Sequence, residues 1–120
     1  MEEDVKRWLT QAEEDLDSAE KNLEIRKYNL VAFLCQQSVE KGLKSLSIKN
    51  TGKYQKIHDL VMLARLNKAP ENIIKLCAKI TPAYVATRYP DSAKKYSKDE
   101  SNKVLSYTKE VLRWIKENLN

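Results

Sequence analysis

Residues 5–23 read VKRWLTQAEEDLDSAEKNL, with apolar side chains at Val5, Trp8, Leu9, Ala12, Leu16, Ala19 and Leu23. The steps between them are 3, 1, 3, 4, 3 and 4, which trace one face of an α-helix. Glu13, Glu14, Asp17, Glu20, Lys21 and Glu24 fall on the opposite, solvated face. Glu2, Glu3 and Asp4 stand where carboxylates complement the partial positive charge of a helix N-terminus. This spacing predicts a helix over about residues 2–25, with one apolar stripe that must be covered by other elements.

Working outward, Arg26-Lys27-Tyr28-Asn29 is a short connection with Asn29 as N-cap. A second helix runs to about residue 50 on a stripe of Ala32, Cys35, Val39, Leu43 and Leu46, broadened by Leu30, Phe33 and Leu34. So short a connection makes the pair an antiparallel hairpin. Lys49-Asn50-Thr51-Gly52-Lys53 ends the second helix with turn chemistry, and residues 50–57 form a polar loop. His58-Asp59-Leu60 opens a shorter helix with Leu60, Leu63, Ala64 and Leu66 apolar. Pro70 fits the first position of the next, built on Ile73, Ile74, Cys77 and Ile80, and Pro82 divides that segment before Tyr84, Val85 and Ala86. Arg88-Tyr89-Pro90-Asp91 begins an irregular loop to about residue 98. A last helix over about 99–118 carries Val104, Val111 and Ile115, with Leu105, Leu112 and Trp114 beside them. The expected fold is all-α: an up-and-down four-helix bundle with an additional short helix, as a single domain over residues 1–120.

Composition agrees. A chain of 120 residues with two Gly and three Pro has too few breakers for a sandwich of many short strands. By surface scaling such a chain buries roughly two-thirds of its unfolded area, enough for a core without staples. Cys35 and Cys77 lie in apolar-periodic stretches, not in C-x-x-C spacing, and read as buried thiols of a reducing compartment. No apolar run approaches 18 residues and the N-terminus is acidic, so the expectation is a soluble, cytoplasmic protein with no membrane partner. The net charge of +5 is uneven: residues 1–25 carry −6 and the remainder +11. A basic body favours an anion such as a phosphate or RNA, and equally permits self-association through opposite patches.

Three places carry candidate chemistry. On the second helix Gln36, Glu40 and Lys44 lie at i, i+4 and i+8, while Gln37, Lys41 and Lys44 lie at i, i+4 and i+7. Together they form a polar strip able to bond a base edge, orient an arginine and neutralise phosphate. The alternative is a solvated flank with a Glu40–Lys44 pair. His58, the one histidine, reads as a general base or as part of a helix start in which Asp59 caps free N–H groups. In Arg88-Tyr89-Pro90-Asp91 the arginine offers a planar fork for phosphate, with Tyr84, Tyr89 and Tyr96 as stacking rings. Alternatively, Arg88 pairs with Asp91 or Glu40 and the tyrosines finish the core. Lys53, Tyr54 and Lys56 resemble a nucleic-acid patch only weakly and read rather as a solvated loop. The sequence contains no nucleophile elbow, phosphate-binding glycine loop, helical zinc signature or calcium loop; no metal and no cofactor are expected, with a nucleotide as ligand.

Taken together the elements resemble a HEPN domain over nearly the whole chain. Trp8, Ala12, Asp15, Leu16 and Ala19 are similar to that family's opening W-x-x-x-A-x-x-D-L-x-x-A, and residues 33–44, FLCQQSVEKGLK, to its F-x-x-Q-Q-x-x-E-K-x-x-K helix. His58-Asp59-Leu60 and Tyr84-x-x-x-Arg88-Tyr89-Pro90-Asp91 follow in the expected order. The resemblance implies a four-helix bundle with an additional short helix, usually a homodimer. It also implies a small nucleotidyltransferase as partner, in a toxin–antitoxin or nucleotide-handling pair. The toxins of the family are metal-independent RNases with Arg-x(4–6)-His at the dimer groove. Arg88 matches the arginine, but residues 93–95 are Ala93, Lys94 and Lys95, so the histidine is missing. Lysine holds phosphate but shuttles protons poorly at neutral pH.

The expected function is therefore a non-catalytic dimer that binds a nucleotide or RNA phosphate. Arg88 with Lys41 or Lys44 would take phosphate. Gln36, Gln37 and Tyr89 would contact base or ribose, beside Asp91, and Glu40 would orient Arg88. The alternatives are a weak RNase using Arg88 with His58 or Lys94, and a purely structural dimeric interaction module. Tyr84, Tyr89 and Tyr96 are candidate acceptors if the partner nucleotidylates this chain.

Overall fold

A computed structural model of the chain describes residues 2–91 and 94–120. The chain forms α1 (Glu2–Glu24), α2 (Tyr28–Thr51), α3 (Leu60–Leu66), α4 (Glu71–Ile80), the single turn α5 (Ala83–Ala86) and α6 (Lys98–Leu119). The hairpin of α1 and α2 forms the largest helix–helix contact, and α6 lies against both of them and against α4. The short helices complete the bundle: α3 packs on α2 and α4, and α5 on α2. No helix among the described residues is long and apolar enough to cross a membrane.

Each junction has a local cause. Between α1 and α2 the chain turns in three residues with Arg26 left-handed at φ 62°, and the Lys27 amide closes onto the Asn22 carbonyl at 3.0 Å. At the end of α2, Gly52 takes φ 83°, a conformation that costs glycine nothing, and its amide bonds the Ile48 carbonyl. Asp59 caps α3 by accepting from the Val61 and Met62 amides. Pro82 separates α4 from α5, as expected. Ser97 and Glu100 cap α6 reciprocally, each side chain taking the other's backbone N–H.

Two expectations fail at helix starts. Asn29 is not the N-cap of α2: it lies within the first turn, and its Oδ1 accepts the Tyr96 amide at 2.7 Å, tying α2 to the lead-in of α6. Pro70 is the N-cap of α4 and not its first helical residue. Three apolar assignments also fail: Leu66 and Val85, at or near the ends of short helices, are 55% and 58% exposed, and Leu30, at the start of α2, is 43% exposed.

The core runs between α1, α2 and α6 and continues under α3 and α4 through Leu60, Leu63, Ile73, Cys77 and Ile80. Gly42 permits a close approach of α2 and α6. A Cβ there would lie 2.9 Å from Leu112 Cδ2 and 3.0 Å from Ile115 Cδ1, so α2 and α6 meet where no side chain intervenes. Ser38 Oγ, buried on α2, donates to the Ala12 carbonyl at 2.6 Å and pins α1 to α2.

Candidate functional site

The polar strip of α2 forms, but it is not a solvated flank. Gln36, Glu40 and Lys44 are 0%, 6% and 4% exposed, so their polar atoms must find partners within the protein. Glu40 is the hub. Lys44 Nζ donates to its Oε2 at 2.8 Å, Gln36 Nε2 to its Oε1 at 3.0 Å, and His58 Nδ1 lies 3.0 and 3.1 Å from the two oxygens. Burial pushes the Glu40 carboxyl up, but the hydrogen bonds from Lys44, Gln36 and His58 outweigh it and hold the group below the usual carboxylate range. Gln36 also donates to the His58 carbonyl at 3.2 Å and accepts from Gln37 Nε2 at 2.7 Å, which fixes the loop before α3.

From this hub an aromatic stack leads outward. The His58 ring lies on Tyr84 with centroids 4.3 Å apart and planes 13° from parallel. The Arg88 guanidinium stands 4.5 Å from the same Tyr84 ring, which sits one helical turn before it, and 5.8 Å from Tyr89. Arg88 therefore pairs with neither Asp91 nor Glu40, and the expectation that Glu40 orients Arg88 is corrected. Glu40 spends its lone pairs on Lys44, Gln36 and His58, and it is the rings of His58 and Tyr84 that connect it to Arg88. Tyr89 is 52% exposed and Asp91 is exposed beside it, whereas Tyr96 is buried under the α6 lead-in. A cleft of about 300 Å³ opens here, lined by Arg88, Tyr89, Pro90, Lys94 and Lys95 together with Asn29 and residues 86–87. Lys94 pairs with Glu100, and Ala93 lies outside the described residues.

The other strip lysine, Lys41, points toward α1 and binds Asp15 at 2.7 Å. The sequence reads Trp8 only as part of the apolar stripe and Tyr54 as part of a solvated loop or a weak nucleic-acid patch, yet their rings meet at 4.6 Å and Lys44 Nζ lies 5.9 and 5.5 Å from them. A cleft of about 460 Å³ beside them is lined by Arg7, Trp8, Gln11 and Lys41. Trp8 belongs to the α1 stripe and Tyr54 lies in a polar loop, so no spacing rule connects the two rings. Cys35 and Cys77 are fully buried, and burial pushes both thiols up to about 12, which removes them as nucleophiles.

The HEPN domain model matches residues 5–119. Among solved structures, TT1696 from Thermus thermophilus is 25% identical with a TM-score of 0.86, covering 95% of this chain and 97% of its own. ST0689, an archaeal HEPN homologue, is 27% identical with a TM-score of 0.82, covering 97% of this chain and 98% of its own. A HEPN domain protein from Thermotoga maritima shares the fold at 21% identity and a TM-score of 0.77, over 94% of this chain and 97% of its own. Comparison with curated proteins gave no match.

Proposed function

The chain belongs to the HEPN domain family, and from that premise we propose that its Arg88 face binds the phosphate of a nucleotide or RNA without cleaving it. The observation that carries this is the Arg88–Tyr84–His58 stack seated on a buried, fully bonded hub. Arg88 has rings but no carboxylate as partners among the described residues, so its planar fork keeps its donors for an incoming anion. Tyr89 is exposed beside it as a stacking surface for a base. Gln36, Glu40 and Lys44 are buried, which makes them positioning residues for the stack, while Gln37 braces Gln36 and Lys41 turns away to Asp15 of α1. We extend the proposal to the assembly: a cytoplasmic homodimer in which two such faces form one groove, partnered by a small nucleotidyltransferase. Calorimetry near physiological salt tests it, with UMP and a short RNA as ligands, alone and with the partner. Binding that disappears in Arg88→Ala supports the reading. No binding by the wild type in any arm overturns it.

One observation favours a second reading, a metal-independent RNase. His58 Nδ1 is held by a buried carboxylate, which leaves Nε2 directed away from the hub with its side chain 49% exposed. That is how a carboxylate orients a histidine for proton transfer, and it sits in one stack with a phosphate-binding arginine. In this reading His58 Nε2 takes the proton of an RNA 2′-hydroxyl, whose oxygen attacks phosphorus. The 5′-oxygen departs with a proton from water, leaving a 2′,3′-cyclic phosphate. Metal-free cleavage of tRNA that vanishes in both Arg88→Ala and His58→Ala would establish it. Cleavage by neither variant nor wild type returns the site to binding alone.

A further inference from the structure

Two clefts meet at Lys94. One is the Arg88 cleft described above. The other, of about 290 Å³, lies where the α4–α5 break faces the start of α6, lined by Lys79, Pro82, Tyr96, Lys103, Val104 and Tyr107 with Lys94 and Glu100. Its lining combines the apolar Pro82 and Val104 and two tyrosine rings with the cations Lys79, Lys94 and Lys103. Across both clefts the lining cations are Lys79, Arg88, Lys94, Lys95 and Lys103, and among the described residues the lining carboxylate is Glu100 alone. Lys79 and Lys103 have no carboxylate partner among the described residues. Lys79 instead rests 5.0 Å from the Tyr107 ring, and Lys94 lies 4.8 Å from the Tyr96 ring. The same pairing of a cation with a tyrosine therefore recurs at three stations: Arg88 with Tyr84, Lys94 with Tyr96, and Lys79 with Tyr107.

We infer that the α4–α6 cleft extends the Arg88 site into a track for a single-stranded RNA, with Lys79 and Lys103 on its phosphates and Tyr107 against a base. The inference rests on the phosphate-binding reading and specifies its ligand. A mononucleotide fills one cleft of this size and leaves the second row of cations unused. An acidic peptide would satisfy the charges but brings no planar ring for the exposed Tyr89 and half-buried Tyr107, whereas every nucleotide carries one phosphate and one π-face. Nothing in the spacing of the sequence brings Lys79 and Lys103 together, since they lie on separate helices.

The test compares wild type with Lys79→Gln/Lys103→Gln, both exposed positions whose replacement leaves the core untouched, with thermal melts to confirm folding. Fluorescence anisotropy with a labelled twelve-nucleotide oligouridylate reads the track, and calorimetry with UMP reads the Arg88 cleft. The expected result is at least a tenfold loss of oligonucleotide affinity with UMP binding unchanged. Neutralising about four phosphates gives a slope of log affinity against log salt of about −3, which should flatten by about 1.4 in the double variant. Oligonucleotide affinity and slope that survive the double substitution would overturn the inference, as would polyglutamate that displaces the RNA at matched charge. If Arg88→Ala still abolishes UMP binding in that event, the phosphate-binding reading stands without the track. If wild type binds neither ligand, both fall.

Discussion

Lys44 and Arg88 are cations at the two ends of one connected cluster, and they spend their charge in opposite ways. Lys44 is 4% exposed and gives a hydrogen bond to a buried carboxylate, so its energy goes into the fold. Arg88 is exposed and leans on tyrosine rings, so its donors remain for something else. A charge taken out of water must be matched at once, whereas one at the rim is solvated until a ligand replaces the water. The strip and the rim thus differ in kind: one builds the site and the other offers it.

The sharpest way to break this contrast is Lys44→Met. Glu40 would keep Gln36 and His58 but lose its buried cation, and the expected cost is about 3 kcal/mol in urea denaturation. A loss under about 1 kcal/mol would mean the strip is no more structural than the rim. Next in size is Asp59→Ala, which removes the acceptor for two α3 amides beside His58 and should cost about 1 kcal/mol. If the His58 loop depends on that cap, ligand affinity falls along with stability.

Acid should act on the buried hub and the α6 cap while sparing the rim. Glu40 is held below its ordinary range by its bonds to Lys44, Gln36 and His58 against the opposing effect of burial, and Lys94 with the Ser97 backbone holds Glu100 down to about 2. A carboxyl depressed on folding contributes stability that is present above its unfolded value and lost as pH falls through the folded one. Melting temperature is therefore expected to hold from neutral pH to about 4.5, where free carboxyls titrate, and to drop as pH falls below that. Because Glu100 is solvated, the drop should follow Glu40, and Glu100→Gln should leave most of it in place. Smallest of all is the effect of Arg88→Ala on stability, within about 1 kcal/mol for an exposed cation–π contact, even as ligand binding is lost. A variant that unfolds instead would show that the rim is part of the framework.

The helix content was legible because it depends on short-range periodicity. The stripe from Val5 to Leu23 needs no knowledge of what covers it, and Pro82, Asp59 and Gly52 act through their own backbone chemistry. Asn29 was misread because an N-cap and a long-range acceptor look alike in sequence. Its side chain serves Tyr96, 67 residues away. The strip residues were legible as a set but not as buried, since a helical face marked by Gln, Glu and Lys is ordinarily wet.

The sequence by itself determined an all-helical bundle of the HEPN family, two thiols in apolar stripes, and an arginine–tyrosine loop after the fourth apolar segment. Only the tertiary structure decided that Glu40 turns to His58 and not to Arg88, that Trp8 meets Tyr54, and that Lys79 faces α6 across a tyrosine-lined cleft. The physical reason is range. Periodicity and capping act over a few residues of one helix, whereas charge pairing and ring stacking depend on which helices the core brings side by side.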